Sequence, residues 1–174
     1  MTNLMIIKKE ENYEVKMKQR NIYENIIIGY KECMPEVNEQ LLEFRFFMNN
    51  HFLNVDFEKE PKYFIAFDDS TVKLNGIVAI SALYVFPKYR NKGYAKMLIE
   101  KLKYLAKNNV YLQIAVNEKK YPNLKDFYKN LDFKTTGIAG MADDINIKYI
   151  DLFWNKSPIK LTYTPTGTML EIIR

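Results

Sequence analysis

A mixed α/β fold, with a mostly antiparallel sheet of six or seven strands flanked by helices, is what this 174-residue sequence predicts. Three observations carry that reading. Short apolar runs alternate with helical patterns in the order β-α-α-β-β-α-β-α-β-β, which places helices against a mixed sheet. One of those strands runs straight into a cationic loop and then a helix, at "VFPKYRNKGYAKML" (85–98). Composition is that of a globular chain: 48% apolar residues supply a core, and 27% charged residues without a low-complexity tract argue against disorder.

Along the chain, "LMIIKK" (4–9) reads as a short strand. Residues 12–33 carry helical patches, with Ile22, Tyr23, Ile26, Ile27 and Tyr30 at spacings of one, three and four. Met34-Pro35 ends that helix, and "EVNEQLLEFRFFMNNHFL" (36–53) begins another. "KYFIAF" (62–67) is a strand, "DDST" (68–71) a turn, and "VKLNGIVAISALYVFP" (72–87) one long strand or two merged ones. Tyr94 to Asn108 forms an amphipathic helix with Ala95, Leu98, Leu102 and Leu105 on one face. "VYLQIAV" (110–116) is a strand. A helix from Pro122 to Leu131 carries Leu124, Phe127, Tyr128 and Leu131 as its stripe, and proline opens it where a missing N–H costs little. Strands at 146–153 and 159–172 close the chain, with Pro158 and Pro165-Thr166-Gly167 as turns.

The length fits one domain over residues 1–174, with no internal repeat and no linker-like stretch. No apolar stretch approaches a membrane span and "MTNLMIIKKEENYE" lacks a signal-peptide pattern. The single cysteine, Cys33, excludes an internal disulfide and fits a reducing compartment, so a cytoplasmic location is expected. A net charge of +5 favours anionic ligands over polycationic ones.

The cationic seam has a chemical logic. A strand ending at Pro87 that feeds a helix at Tyr94 leaves the first-turn N–H groups without intrahelical partners, and the helix dipole adds positive potential there. Gly93 lets a ligand approach the backbone, Ala95 keeps the next turn uncrowded, and Lys88, Arg90, Lys92 and Lys96 rim the site with charge. A phosphate ester or pyrophosphate suits this arrangement. The pattern is neither a Walker loop nor a dinucleotide fingerprint, because the further glycines both require are missing.

"LYVFPKYRNKGYAKMLIEKL" (83–102) resembles the acyl-CoA signature of the GCN5-related N-acetyltransferase (GNAT) family. There a strand ending Val-x-Pro precedes Arg/Gln-x-x-Gly-x-Gly/Ala, here Arg90-Asn91-Lys92-Gly93-Tyr94-Ala95. A second family motif, a helix with a tyrosine shortly before a Leu-Gly-Phe end, resembles "LKDFYKNLDF" (124–133). The resemblance implies acetyl-CoA as acyl donor and transfer to an amine without a metal or a covalent enzyme intermediate. It implies that backbone groups of Leu83, Tyr84 and Val85 pair with the pantetheine arm, and that amides from Asn91 to Lys96 hold the pyrophosphate. It further implies that Tyr128 serves the thioester sulfur and that Asn123 touches the cofactor.

The chain departs from the family pattern in places. Asp132 replaces the glycine of Leu-Gly-Phe. Tyr121 stands where many relatives carry asparagine, with Asn117 and Asn123 on either side, and Val116 stands where some carry glutamate. The stretch before Val85 leaves almost no turn between the family's third and fourth strands.

Acyl transfer from a thioester needs a neutral amine, a stabilised oxyanion and a proton for the leaving thiolate. An ordinary alkyl ammonium costs roughly 4–5 kcal/mol to deprotonate at pH 7. The resemblance makes the Val85 amide the oxyanion donor. With a thiol pKa near 8.5 and a phenol near 10, Tyr128 can protonate the thiolate at small cost. No residue stands out as the base: Glu118 lies in a "NEKK" loop, and Asp143, Asp144 and Asp151 read as surface loop. His51 and Cys33 are assigned no chemistry. The acceptor is an amine on a small molecule, a protein or a nucleic acid, the last using Tyr149, Phe153 and Trp154 as stacking surfaces. A non-catalytic acyl-CoA-binding module is the reading from another class. No membrane partner is expected, and whether the chain forms a homodimer stays open.

Overall fold

The structure is a computed structural model and describes residues 4–7, 29, 32, 50–55, 62–135, 139–141, 148–164 and 167–172. Most of the helices expected over 12–33 and 36–53, together with Cys33, Asp143 and Asp144, lies outside these residues. The chain divides into two compact units, the first Met1–Thr71 with Ile80–Tyr104, the second Val72–Ala79 with Leu105–Arg174.

In the first unit β1 (Leu4–Ile7), β2 (His51–Val55), β3 (Tyr63–Asp68) and the later part of β4 (Ile77–Val85) are joined in that order. β1 and β3 both run antiparallel to β2, with Ile7 opposite Phe52 and His51 opposite Phe67. Residues 51–53 of the helix expected over 36–53 are therefore strand instead. "HFLNV" is a sheet segment pairing on both sides, and two ladders outweigh the helical spacing of its apolar residues.

The stretch 72–87 also differs from the expected long strand. A helical turn, α1 (Val72–Asn75), comes first and closes with Gly76 N–H donating to the Val72 carbonyl at 2.8 Å. Gly76 sits at φ +71, a conformation glycine reaches without strain, and the Asn75 side chain accepts from the Ile77 N–H at 3.0 Å. Residues 69–76 thus provide the turn between β3 and β4 that seemed missing. β4 itself alternates strictly, with Val78, Ile80, Ala82 and Tyr84 buried.

A 3₁₀ turn, Pro87–Tyr89, and the loop 90–93 lead from β4 into α2 (Tyr94–Leu105). α2 buries Leu98, Ile99 and Leu102, each such side chain worth roughly 1.5–3 kcal/mol. Leu105, expected on this face, is instead 41% exposed, because the helix ends there rather than at Asn108.

The second unit contains the start of β4, then β5 (Tyr111–Asn117), β7 (Lys148–Trp154) and β6 (Ala139–Met141). β4 and β5 are parallel over three pairs, Ile77 opposite Tyr111 to Ala79 opposite Gln113, where the ladder ends. β7 runs antiparallel to both β5 and β6. The short β6 was not expected from sequence. The C-terminal stretch folds back as a hairpin of β8 (Ile159–Thr164) and β9 (Gly167–Ile172).

α3 (Leu124–Lys129) is shorter than expected, and its C-terminus accounts for Asp132. The Phe133 N–H reaches the Tyr128 carbonyl at 3.1 Å and the Asp132 N–H reaches Lys129 at 3.0 Å, a Schellman pair. Asp132 has φ +67, the left-handed conformation that glycine adopts without strain. Aspartate tolerates this conformation better than most residues.

Candidate functional site

The loop before α2 is built for backbone exposure. Asn91 and Gly93 lie at φ +62 and +82, and Lys92 stands between them. The Met97 N–H donates to the Gly93 carbonyl at 3.0 Å, which makes Gly93 the residue that caps α2. The N–H groups of Tyr94, Ala95 and Lys96 therefore belong to a first turn that has no intrahelical acceptors. That turn holds no acidic side chain. A Cβ built on Gly93 would meet nothing within 4 Å, so the space over the backbone is open. Lys88, Lys92 and Lys96 are exposed around it.

Lysines gather beside the loop on one ring. The ammonium groups of Lys62, Lys88 and Lys92 lie 5.6, 5.7 and 5.7 Å from the centroid of Tyr89. Aromatic faces attract cations, and three on one phenol concentrate positive charge next to the helix start.

Arg90 does something different from the lysines. Its Nε donates to the Val85 carbonyl at 2.8 Å, its guanidinium lies 5.4 Å over the Tyr84 ring, and it is 3.7 Å from the Glu32 carboxylate. The Tyr84 hydroxyl donates to that same carboxylate. Arg90 thus ties the loop back to the end of β4, and its Nε edge is engaged by its own chain.

The end of β4 presents one edge away from β3. The Phe86 N–H donates to the Lys62 carbonyl at 2.9 Å on the β3 side. Successive N–H groups of a strand alternate between edges, so the Val85 N–H is directed to the opposite one. Leu83, two residues earlier, shares that edge, while the Tyr84 side chain is buried.

Tyr94 fixes where α2 begins. Its ring stacks on Tyr63 with centroids 4.6 Å apart and planes at 25°. Tyr63 is fully buried, and its hydroxyl has no hydrogen-bond partner among the described residues. Burial first, and Tyr94 second, push its pKa up to about 12.

These observations are of one kind with the family comparison. The model of the acetyltransferase (GNAT) domain matches residues 32–148. The chain belongs to the GNAT acetyltransferase family. Solved structures share the fold. An acyl-CoA N-acyltransferase from Pseudomonas aeruginosa is 14% identical, with a TM-score of 0.62 over 88% of this chain and 99% of that one. A GNAT family acetyltransferase from Elizabethkingia anophelis, solved with acetyl-CoA bound, is 14% identical, with a TM-score of 0.57 over 73% and 88%. NAA60 from Arabidopsis thaliana, solved in complex with a bisubstrate analogue, is 14% identical, with a TM-score of 0.55 over 88% and 97%. No curated protein matches the chain significantly. This GNAT protein is an acyltransferase enzyme, and acetyl transfer is the chemistry its residues must serve.

In the second unit Tyr128 is buried, 1% exposed, between Phe127 at 5.1 Å and Phe133 at 5.3 Å, both edge-on. Asn123 stands exposed at the head of α3, where its carbonyl accepts from the Phe127 N–H at 3.2 Å. Glu118 is ion-paired with Lys125 at 2.6 Å, and that carboxylate raises the Lys125 pKa. Phe153 packs against Tyr111 and Ile159 in a buried cluster and offers no face on which a nucleobase could stack.

Asp151 lies inside β7, within the strand expected over 146–153, and the surface-loop reading of its carboxylate is corrected: it is half-buried and accepts from Gln113 Nε2 at 3.0 Å. Burial pushes its carboxyl above the usual range, and the Gln113 hydrogen bond opposes that shift. The signal was available: a lone carboxylate alternating with Ile150 and Leu152 in "YIDLFW" reads as a strand position.

His51 pairs with Asp69 at 3.0 Å and lies against Phe67, both in the first unit. Among the described residues no helix is long and apolar enough to cross a membrane.

Proposed function

We propose that this GNAT protein transfers the acetyl group of acetyl-CoA directly to an amine. The observation that carries the reading is the start of α2. Open backbone over Gly93, an acid-free first turn and a lysine rim together suit the CoA pyrophosphate. Amides from Asn91 to Lys96 hold the phosphates, with Lys88, Lys92 and Lys96 adding charge. Arg90 stabilises the loop that presents those amides. The edge of β4 at Leu83–Val85 takes the pantetheine arm as an added strand would. The Val85 N–H receives the oxyanion as the amine adds to the thioester carbonyl. The C–S bond then breaks, and the Tyr128 phenol gives its proton to the thiolate. Asn123, beside the second motif, is assigned to the cofactor's polar arm.

The test is a heat-stability titration with CoA, followed by labelled acetyl-CoA incubated with host extract. CoA is expected to raise Tm. Gly93→Asp, which puts a carboxylate into the open space at the phosphate site, is expected to abolish that rise. A folded Gly93→Asp variant that CoA stabilises as well as wild type would show the site to be wrongly placed. Label incorporated into an extract component identifies the acceptor.

A further inference from the structure

Arg90 occupies a backbone acceptor that the proposed donor site needs. The Val85–Phe86 peptide is trans, so its carbonyl and its N–H point to opposite edges of β4. The Phe86 N–H is turned to β3, where it donates to the Lys62 carbonyl at 2.9 Å. The Val85 carbonyl is therefore directed to the other edge, the one assigned above to the pantetheine arm. The β5 ladder pairs Ile77 to Ala79 of β4 and leaves Leu83 to Val85 outside it. Arg90 Nε donates to the Val85 oxygen at 2.8 Å, the distance at which the N–H of an added strand would stand.

The guanidinium can leave that oxygen without unfolding anything. The Arg90 and Glu32 side chains are 45% and 54% exposed, and their 3.7 Å pair is of the solvated kind that contributes little. The Tyr84 ring, 5.4 Å away, is the other neighbour. Glu32, Tyr84 and Val85 all belong to the first unit, as does Arg90 itself. The loop proposed to hold the pyrophosphate begins at the next residue, Asn91. A phosphate on its amides would lie beside the guanidinium, whose planar fork matches phosphate oxygens two at a time.

We propose that Arg90 makes the donor's phosphates a condition for seating its pantetheine arm, so that this enzyme selects CoA thioesters over acyl-pantetheines that lack phosphate. The inference rests on the donor reading given above. In the ligand-free chain Arg90 ties down the loop and covers the Val85 acceptor. A pyrophosphate on the loop offers the guanidinium a doubly charged partner, and the Val85 oxygen passes to an amide N–H of the pantetheine arm. A donor without phosphates has to break the charged hydrogen bond unaided, and such a bond is stronger than one between neutral groups. The two halves of CoA therefore strengthen each other's binding, and the coupling is the same in both directions.

The experiment compares the wild-type chain with Arg90→Met, which keeps a long apolar stem and removes the donors. Heat stabilisation is titrated with CoA and with pantetheine, which carries the same amides and thiol but no phosphate. Pantetheine is expected to bind Arg90→Met roughly tenfold tighter than wild type, the worth of one charged hydrogen bond no longer opposing it. CoA is expected to bind the variant no better than wild type. A loosened loop alone would weaken both ligands, so the gain for pantetheine is the result that only an uncovered Val85 carbonyl gives. Unchanged or weaker pantetheine binding by the folded variant would overturn the proposal, as would pantetheine that stabilises neither protein. A crystal structure of the wild type with CoA decides the matter if the variant does not fold. A pantetheine amide on the Val85 oxygen, with Arg90 Nε moved off it, is expected, and Arg90 still bonded there overturns the proposal. CoA that fails to stabilise the wild type, or that is seated away from Gly93, removes the donor reading itself and the inference with it.

Discussion

Tyr63 on β3 and Tyr94 at the first turn of α2 form a parallel stack with centroids 4.6 Å apart. The stack joins the first turn of α2 to β3, so the placement of the proposed anion-binding turn depends on a strand outside both sequence motifs. Tyr63 leaves its hydroxyl buried without a partner among the described residues. Desolvating a hydroxyl in that way costs on the order of 1–3 kcal/mol. Tyr63→Phe keeps the ring and the stack while removing the cost. It is expected to gain roughly 1 kcal/mol, read as a Tm about 2–4 °C higher for a chain of this size. A lower Tm by calorimetry would mean that the hydroxyl has a partner in solution.

Asp132 offers a second test of backbone reasoning. Its φ of +67 closes the Schellman pair after α3, and an L side chain there is strained by up to about 1–2 kcal/mol, less for aspartate than for most. Asp132→Gly is expected to stabilise by roughly 0.5–1 kcal/mol, measured by urea denaturation. Asp132→Val, whose branched side chain fits this conformation poorly, is expected to destabilise. If glycine destabilises, the side chain and not the backbone is what the position needs.

The pH dependence of stability follows from Asp151. Its folded-state pKa is raised by burial, so between the ordinary value of 3.8 and that raised value the folded chain binds more protons than the unfolded one. Stability from this group is therefore highest in acid and is lost as pH rises through the window. At pH 7 the ionised carboxylate is a burden on the fold, and Asp151→Asn is expected to melt at a higher temperature than wild type. The gap should close as pH falls towards 3.8. A gap that widens in acid would mean that the carboxylate has a cation the structure does not show.

How much of this was legible in sequence differs by element. The seam at 85–98 was readable because it depends on local rules: proline ends a strand, glycine opens a helix and charge sits on a loop. The α3 stripe was readable for the same reason, since Tyr128 and Leu131 recur at helical spacing and both are buried. What failed needed partners distant in sequence. "HFLNV" became a strand because β1 and β3 pair on either side of it. Asp151 meets its hydrogen-bond donor in Gln113, 38 residues away in the chain. Arg90 looked like a phosphate ligand by motif, and only the positions of the Val85 carbonyl and Glu32 reveal its tie to β4. The break at Gly76 was local and readable, because Asn-Gly after a short apolar stretch is a helix-ending signal that strand-like composition on both sides concealed.

Tyr128 separates packing from chemistry. Its ring lies edge-on between Phe127 and Phe133 and is 1% exposed, which alone would explain an aromatic residue at this position. Tyr128→Phe preserves that packing, so a purely structural residue would leave turnover and CoA affinity nearly unchanged. If the phenol protonates the leaving thiolate, CoA affinity stays close to wild type while kcat falls by roughly 10²–10⁴-fold. The loss then appears equally in kcat and kcat/KM, because the proton is needed only in the transition state. The low end of the range is expected, since a thiolate is a weakly basic leaving group that water can also protonate. Heat stability provides the control: both variants should melt within a few degrees of each other, so that any fall in kcat belongs to the hydroxyl. Full activity in the phenylalanine variant would assign the proton to water or to the acceptor, and would leave Tyr128 as a packing residue.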